Sequence, residues 1–349
     1  MTNPITQTIG CDLGDKWSTV YVLGEEGTGK RTRVRTTPDA MGQYFRRAAA
    51  HVVIEVGTHS RWVSSQLREL GHRVTVANPR RVQLISASNS KSDEADCELL
   101  ARLGRVDEKL LAPIEHRGPK AHADLEQLKG RDLLVRMRTK LTNHVRAVVK
   151  ACGGRLPRTT SEAFAKKTKG LVPPNLVQSL EPIYAAIEAL DEQIKRLDKE
   201  IERTAEDYPD VKVMAQPAGV GTLTALAFLL TVEDKTRFKR SRMAGAYFGL
   251  RPRRDQSGSV DKQLHITKAG DPFVRRLLVN CANYILGPFG QDSDLRRWGL
   301  ELAKRGGKNA RRRAKVAVAR KVAVLMHRLW MTGEDYEPLR QAAPAATCP

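Results

Sequence analysis

The sequence predicts a multidomain α/β plus α protein: an N-terminal mixed sheet, a helical coiled-coil middle and a mainly helical C-terminal region. Three observations predict it. Strand and helix signals alternate between residues 5 and 79, an apolar heptad runs from Ile183 to Ile201, and Gly/Pro breakers at Arg117-Gly-Pro119 and Gly153-Gly154 divide the chain. A length of 349 residues accommodates two to three domains of roughly 150 residues each.

Ile5–Asp12, Trp17–Leu23 and Arg31–Thr37 read as strands, rich in β-branched residues and punctuated by Gly10, Gly14, Gly24 and Gly27. A helix follows from Pro38 to Ala50, with proline in its first turn. His51–Val56 is a buried-type strand, Ser60–Leu70 a helix ended by Gly71, and Val74–Ala77 another strand. Three strands, helix, strand, helix, strand is the order of a mixed sheet. A loop over Ser86–Lys91 leads into a helix from Ser92 that carries Leu99, Leu100 and Leu103. Residues 121–151 suit one long helix, since Leu134, Met137, Leu141, Val145 and Val148 recur at steps of three and four.

Ile183, Ile187, Leu190, Ile194, Leu197 and Ile201 form an a/d heptad flanked by charges. An antiparallel hairpin within one chain and a dimerising coiled coil both fit that pattern. Residues 211–290 read as largely helical with a loop-rich insert at 251–270, and 301–330 reads as one basic helix. The expected divisions are 1–118, 119–207 and 208–335, with 336–349 a disordered tail.

Sixty Lys and Arg against 39 Asp and Glu leave a formal charge of +21, which calls for a polyanionic partner. Aromatics are only 5 %, so base-stacking platforms should not dominate recognition. Cys11, Cys97, Cys152, Cys281 and Cys348 are scattered and form no C-x-x-C pair, which argues against a disulfide framework or zinc knuckle. No signal peptide is visible, and the apolar stretch Gly221–Val232 is too short for a bilayer. A cytoplasmic nucleic-acid protein without membrane partners is expected.

Four carboxylates are placed where metal chemistry would use them. Asp12 ends the first strand, Glu55 interrupts the apolar run Val52-Val-Ile-Glu-Val56, and Asp93 and Asp96 share a helix face. A divalent pair would compensate the cost of burying them and clamp a phosphodiester. Taken singly, Asp12 also reads as a turn residue, Glu55 as an ion-pair partner and the D-x-x-D as a helix cap. Together and in this order they make an RNase H-like arrangement. Further along, Arg251, Arg253 and Arg254 crowd the approach to Ser257-Gly258. That stretch reads either as a phosphate-binding loop or as a nucleophile with charge-stabilising arginines. Gly219-Val-Gly221 has the form of a helix-hairpin-helix turn, or of an ordinary reversal. Lys268 and the run Arg311, Arg312, Arg313 add candidate phosphate contacts, and segment 235–276 carries twelve Lys/Arg against three Asp.

These residues bring the chain close to a known family. Ile9-Gly-Cys-Asp-Leu-Gly14, Val53-Ile-Glu-Val-Gly-Thr58, Lys91-Ser-Asp-Glu-Ala-Asp96, Pro217-Ala-Gly-Val-Gly221, Phe248-Gly-Leu-Arg-Pro-Arg253, Gln256-Ser-Gly258, Ile266-Thr-Lys-Ala-Gly-Asp271 and Ala319-Arg-Lys-Val-Ala-Val324 resemble the DEDD (RuvC-like) transposases of bacterial insertion sequences, which are bridge-RNA-guided recombinases. Ser92 stands where Thr is more usual, and Ala218 where Gly is commoner. The resemblance implies a RuvC-like domain whose Asp12, Glu55, Asp93 and Asp96 hold Mg²⁺, or Mn²⁺ in its place. It also implies that Ser257 is the nucleophile of a phosphoserine intermediate, with Ser259 a weaker rival. Implied partners are donor and target double-stranded DNA, a structured guide RNA and further copies of the chain as a dimer or tetramer, in a bacterial cytoplasm. The competing expectations are a two-metal nuclease like a Holliday-junction resolvase and a non-catalytic scaffold.

Overall fold

The computed structural model describes residues 7–78, 93–257, 260–307 and 309–340, and the chain divides into two compact units at His116/Arg117. The loop expected at 86–91, Gly258, Ser259 and the tail from 341 lie outside the described residues.

The first unit is built on a five-stranded sheet of β1 (Thr8–Asp12), β2 (Trp17–Leu23), β3 (Gly29–Arg35), β4 (His51–Glu55) and β5 (Arg73–Ala77), in the order β3-β2-β1-β4-β5. Strands β1, β2 and β3 form an antiparallel meander, while β4 and β5 join β1 in parallel, so the sheet is mixed as its sequence order predicts. Parallel pairing requires crossovers, and α1 (Pro38–Phe45) and α2 (Ser60–Glu69) supply them. On one face Ile9, Cys11, Val20, Met41, Phe45, Val52, Ile54 and Val63 form the core. Helix α3 (Asp93–Val106) covers the other, where Leu100 packs with Val53 and Ala77.

Helix α1 ends at Phe45, not at Ala50. Ala48 to Ala50 have high helix propensity, but Ala50 is drawn towards the sheet. Its carbonyl accepts from Arg73 N at 3.1 Å and its N–H donates to His72 Nδ1 at 3.1 Å, so tertiary pairing overrides propensity.

In the second unit, α4 (Pro119–Ala151) and α6 (Val177–Glu206) flank the short α5 (Phe164–Thr168) and form an antiparallel hairpin. Cross-helix partners fix that direction: Lys120 meets Asp207, Arg131 meets Asp198 and Arg138 meets Asp191, at 3.0, 2.8 and 2.6 Å. The heptad therefore lies in an intrachain seam, with Ile187, Ile194 and Ile201 buried and Ile183, Leu190 and Leu197 half-buried. Arg138 is itself buried and bridges Asp191 and Glu162, which offsets the desolvation of its guanidinium.

The remaining helices are α7 (Asp210–Met214), α8 (Thr222–Val232), α9 (Arg242–Tyr247), α10 (Pro272–Ile285), α11 (Asp294–Lys304) and α12 (Ala310–Thr332). Helix α8 is buried at every position from Thr224 to Val232, as an uncharged helix must be in water. It centres a core that takes Leu125 and Leu128 from α4, Ile201 from α6, Leu278 from α10, and Val322 and Met326 from α12. Tyr336 N donates to Gln216 Oε1 at 2.5 Å and Pro338 O accepts from Asp294 N at 2.7 Å, which ties residues 336–338 down.

Two sequence expectations change here. The stretch 251–270 is not loop-rich: β6 (Pro252–Ser257) and β7 (Val260–Ile266) form an antiparallel hairpin with an irregularity between Pro252 and Arg254. Residues 301–330 are not one helix. Gly306 and Gly307 both adopt φ +84°, a left-handed geometry that ends α11 before α12 begins.

Candidate catalytic and nucleic-acid site

Two of the four carboxylates are brought side by side by the sheet. Asp12 and Glu55 end β1 and β4, and the parallel register that pairs Cys11 with Ile54 makes them neighbours at the C-terminal edge. Both are half-buried. Asp93 is the first residue of α3, and Asp96, also half-buried, lies one turn on. The helix is seated on β1 because Gly10 has no side chain. A Cβ there would run into the carbonyl oxygen of Cys97 and come within 2.7 Å of Ala101 N.

Asp12 also shapes its surroundings electrically. Burial and then the Asp12 charge push the Cys11 thiol far up, and burial raises Cys97 to about 11 against the pull of Arg31. Both thiols therefore stay protonated, and the donors left in this region are carboxylate oxygens. Such a set suits a hard divalent cation such as Mg²⁺ or Mn²⁺ and not a soft, thiolate-bound one. Among the described residues no three His, Cys, Asp or Glu side chains converge closely enough to hold an ion. The positions of Asp12 and Glu55 at the sheet edge, with Asp96 on the covering helix, are those from which carboxylates could serve one.

In the second unit Ser257 is the last residue of β6, paired with Val260. The base of this hairpin is held by close backbone packing. A Cβ on Gly249 (φ +69°) would collide with the backbone of Ala269, and one on Gly270 (φ +72°) with the carbonyl of Tyr247. Thr267 N donates to Arg251 O at 2.9 Å, and Arg275 Nη1 reaches the Phe248 and Ala269 carbonyls at 3.2 and 2.8 Å. Lys268 sits in this turn with φ +52°, and Asp271 caps α10 by accepting from Phe273 N at 2.7 Å. The stretches Phe248–Arg253 and Ile266–Asp271 thus form the mount on which β6 and Ser257 are carried.

The other sequence candidates are spread over the second unit. Gly219 (φ +92°) packs tightly, since a Cβ would lie 2.7 Å from Tyr284, whereas a Cβ on Gly221 would meet nothing within 4 Å. Arg311, Arg312 and Arg313 are exposed on the first turn of α12. Arg251, Arg253 and Arg254 are exposed, and Arg251 and Arg254 line a cleft that Arg253 does not reach. Its other arginines, Arg240, Arg242 and Arg320, were not singled out by sequence reasoning. The hint of Arg240 and Arg242 was the charge density of 235–276, and that of Arg320 the basic stretch 301–330.

Buried His327 on α12 ties down the segment entering α9. Its Nε2 donates to the Lys235 carbonyl at 2.9 Å, which leaves Nδ1 to accept from the Ser241 hydroxyl at 3.0 Å. Burial lowers its pKa below the ordinary 6.5. The unfolded chain then binds the proton more readily, so stability present above about pH 6.5 declines as pH falls. Between pH 7.5 and 5.5 the melting temperature should fall further for wild type than for His327→Gln. Equal falls would refute this.

The comparisons with known proteins cover both units. A transposase family of the DEDD type matches residues 9–153, and the IS116/IS110/IS902 transposase family matches residues 212–293. The transposase for insertion sequence element IS1111A of Coxiella burnetii is 32 % identical over 217 residues, 60 % of this chain and 58 % of that protein. The transposase for IS1328 of Yersinia enterocolitica is 27 % identical over 283 residues, covering 80 % and 84 %. A probable family 20 transposase of Pseudomonas aeruginosa is 26 % identical over 318 residues, covering 88 % and 90 %. No helix among the described residues is long and apolar enough to cross a membrane.

Proposed function

We propose, from the chain's membership of the IS110 family of insertion-sequence transposases, with an RNase H-like DEDD domain ahead of the family's C-terminal domain, that it is an RNA-guided recombinase that cuts and rejoins donor and target DNA through a phosphoserine at Ser257. The observation that carries this reading is the β6–β7 hairpin. It holds Ser257 at a strand end beside exposed arginines, on a base fixed by the Phe248–Arg253 and Ile266–Asp271 stretches.

In the first step the Ser257 hydroxyl oxygen attacks phosphorus, the bond to the leaving DNA oxygen breaks, and the freed DNA hydroxyl carries the proton away. In the second step a DNA hydroxyl attacks the phosphoserine, restoring the serine and leaving a new phosphodiester. Rejoining needs no external energy source, because the energy of the broken phosphodiester is kept in the enzyme–DNA link. Arg251, Arg253, Arg254 and Lys268 stabilise the charge that develops on the phosphoryl oxygens. The DEDD domain implies use of a divalent metal, and Asp12, Glu55, Asp93 and Asp96 are the residues that would hold it. When bound, that ion supplies neutralisation of phosphate charge. Gly219, Gly221 and Arg311–Arg313 contact the DNA or RNA backbone, sequence choice comes from the guide RNA, and the chain works as a dimer or tetramer.

The test is covalent trapping. Full-length protein, labelled donor and target DNA, RNA transcribed from the element's flanks and Mg²⁺ are resolved on a denaturing gel. A protein–DNA adduct that needs both RNA and Mg²⁺ is expected. Mg²⁺-dependent nicks with no adduct would overturn the serine mechanism and leave a metal nuclease.

A further inference from the structure

The cleft beside the hairpin holds more positive charge than the proposed chemistry uses. It is about 460 Å³ in volume and is lined by Arg240, Arg242, Arg251, Arg254 and Arg320, with Met243, Ala246 and Pro252 between them and, among the described residues, no carboxylate. Among the described residues, Arg240, Arg242, Arg251 and Arg320 form no ion pair with an Asp or Glu. Guanidinium groups do not discharge at neutral pH, so the cleft keeps its charge until an anion enters.

The charges come from segments far apart in sequence that are fixed to one another. Arg240 and Arg242 lead into α9, Arg251 and Arg254 come from the hairpin base, and Arg320 from the middle of α12. Helix α9 is pressed onto α12 at Gly245, where a Cβ would lie 2.6 Å from Arg320 Cγ. His327 pins Lys235 and Ser241 to the same helix. A small anion engages one or two guanidinium groups, whereas the four of Arg240, Arg242, Arg251 and Arg320 around an open cleft suit a chain of phosphates, each taking forked donors. Arg313 stands two turns before Arg320 on α12, so the basic row continues for about 10 Å beyond the cleft.

We propose that this cleft is a clamp for a nucleic-acid phosphodiester backbone, with Arg240, Arg242 and Arg320 as binding residues alongside Arg251 and Arg254. The inference rests on the nucleic-acid reading of the hairpin but not on the serine chemistry.

Its test is binding without metal, so that no strand is cut. Full-length wild type and Arg242→Gln/Arg320→Gln are titrated by fluorescence anisotropy across a salt series. One arm uses duplex DNA and the other single-stranded RNA. Arg155→Gln/Arg203→Gln, which removes two exposed charges outside the cleft, is the control, and melting temperatures confirm that all three are folded. The plot of log affinity against log salt should flatten by about 1.8 for duplex DNA or about 1.4 for single-stranded RNA, while the control changes less. A change in one arm assigns the clamp to that nucleic acid, and a change in both makes it indifferent to the sugar. Wild-type slopes in both arms, or an equal change in the control, overturn the proposal. Loss of the covalent adduct would not alter this readout, so the two readings fail separately.

Discussion

Replacing Ser257 with alanine is expected to abolish the covalent protein–DNA adduct and to lower strand joining by on the order of 10⁴-fold or more, the scale of losing a nucleophile. The pairing of Ser257 with Val260 is a backbone interaction that alanine can also make, so the hairpin should persist. Folding is checked by an unchanged melting temperature, and nucleic-acid binding by an unchanged salt slope. Activity should fall while both hold. Ser259→Ala should keep the adduct. If the adduct instead survives Ser257→Ala and vanishes in Ser259→Ala, the nucleophile is two residues further along. If it survives both, serine is not the attacking group.

The first unit was legible because its strands are short, β-branched and closed by glycine or by a charge, so β2 begins and ends at the expected residues and β4 and β5 fall within one. A strand-ending Asp and a Glu at the end of an apolar run are adjacent in the sheet because their strands are parallel neighbours. The β6–β7 hairpin was not legible. Pro252-Arg-Arg-Asp-Gln-Ser257 has no β-branched or aromatic residue, and its strand character comes from pairing with Val260–Ile266 and from the packing of Gly249 on Ala269.

The heptad told the helix but not its partner. Arg131, Arg138 and Lys120 decide that, each meeting an acid more than 50 positions away. The break at Gly306-Gly307 carried a turn signal that the density of Lys and Arg around it obscured. The arginine cleft is invisible in sequence for a similar reason, since Arg242 and Arg320 meet only when α9 seats on α12.

The same kind of close seating gives the second large effect. Gly10→Ala is expected to destabilise the protein by about 1–3 kcal/mol and to lower DNA strand cleavage by about 10²-fold. The added methyl would overlap the carbonyl oxygen of Cys97 and crowd Ala101 N, both backbone atoms of α3 that cannot turn aside. The helix must then lift from β1. Asp93 and Asp96 ride on that helix, while Asp12 and Glu55 stay with the sheet, so the displacement opens the gap between the two pairs. Gly57→Ala, two residues past Glu55, is the comparison, because a Cβ there meets nothing within 4 Å and φ is not positive. It should leave urea unfolding and cleavage near wild type. Wild-type stability and cleavage in Gly10→Ala would show that α3 can shift without consequence and that its carboxylates do not act with those of the sheet. Glycine is a poor residue for the middle of a strand, where it lacks a side chain to pack and weakens the pairing. At position 10 that weakness is the condition for bringing a helix backbone down onto the strand, and with it two of the four acids towards the other two.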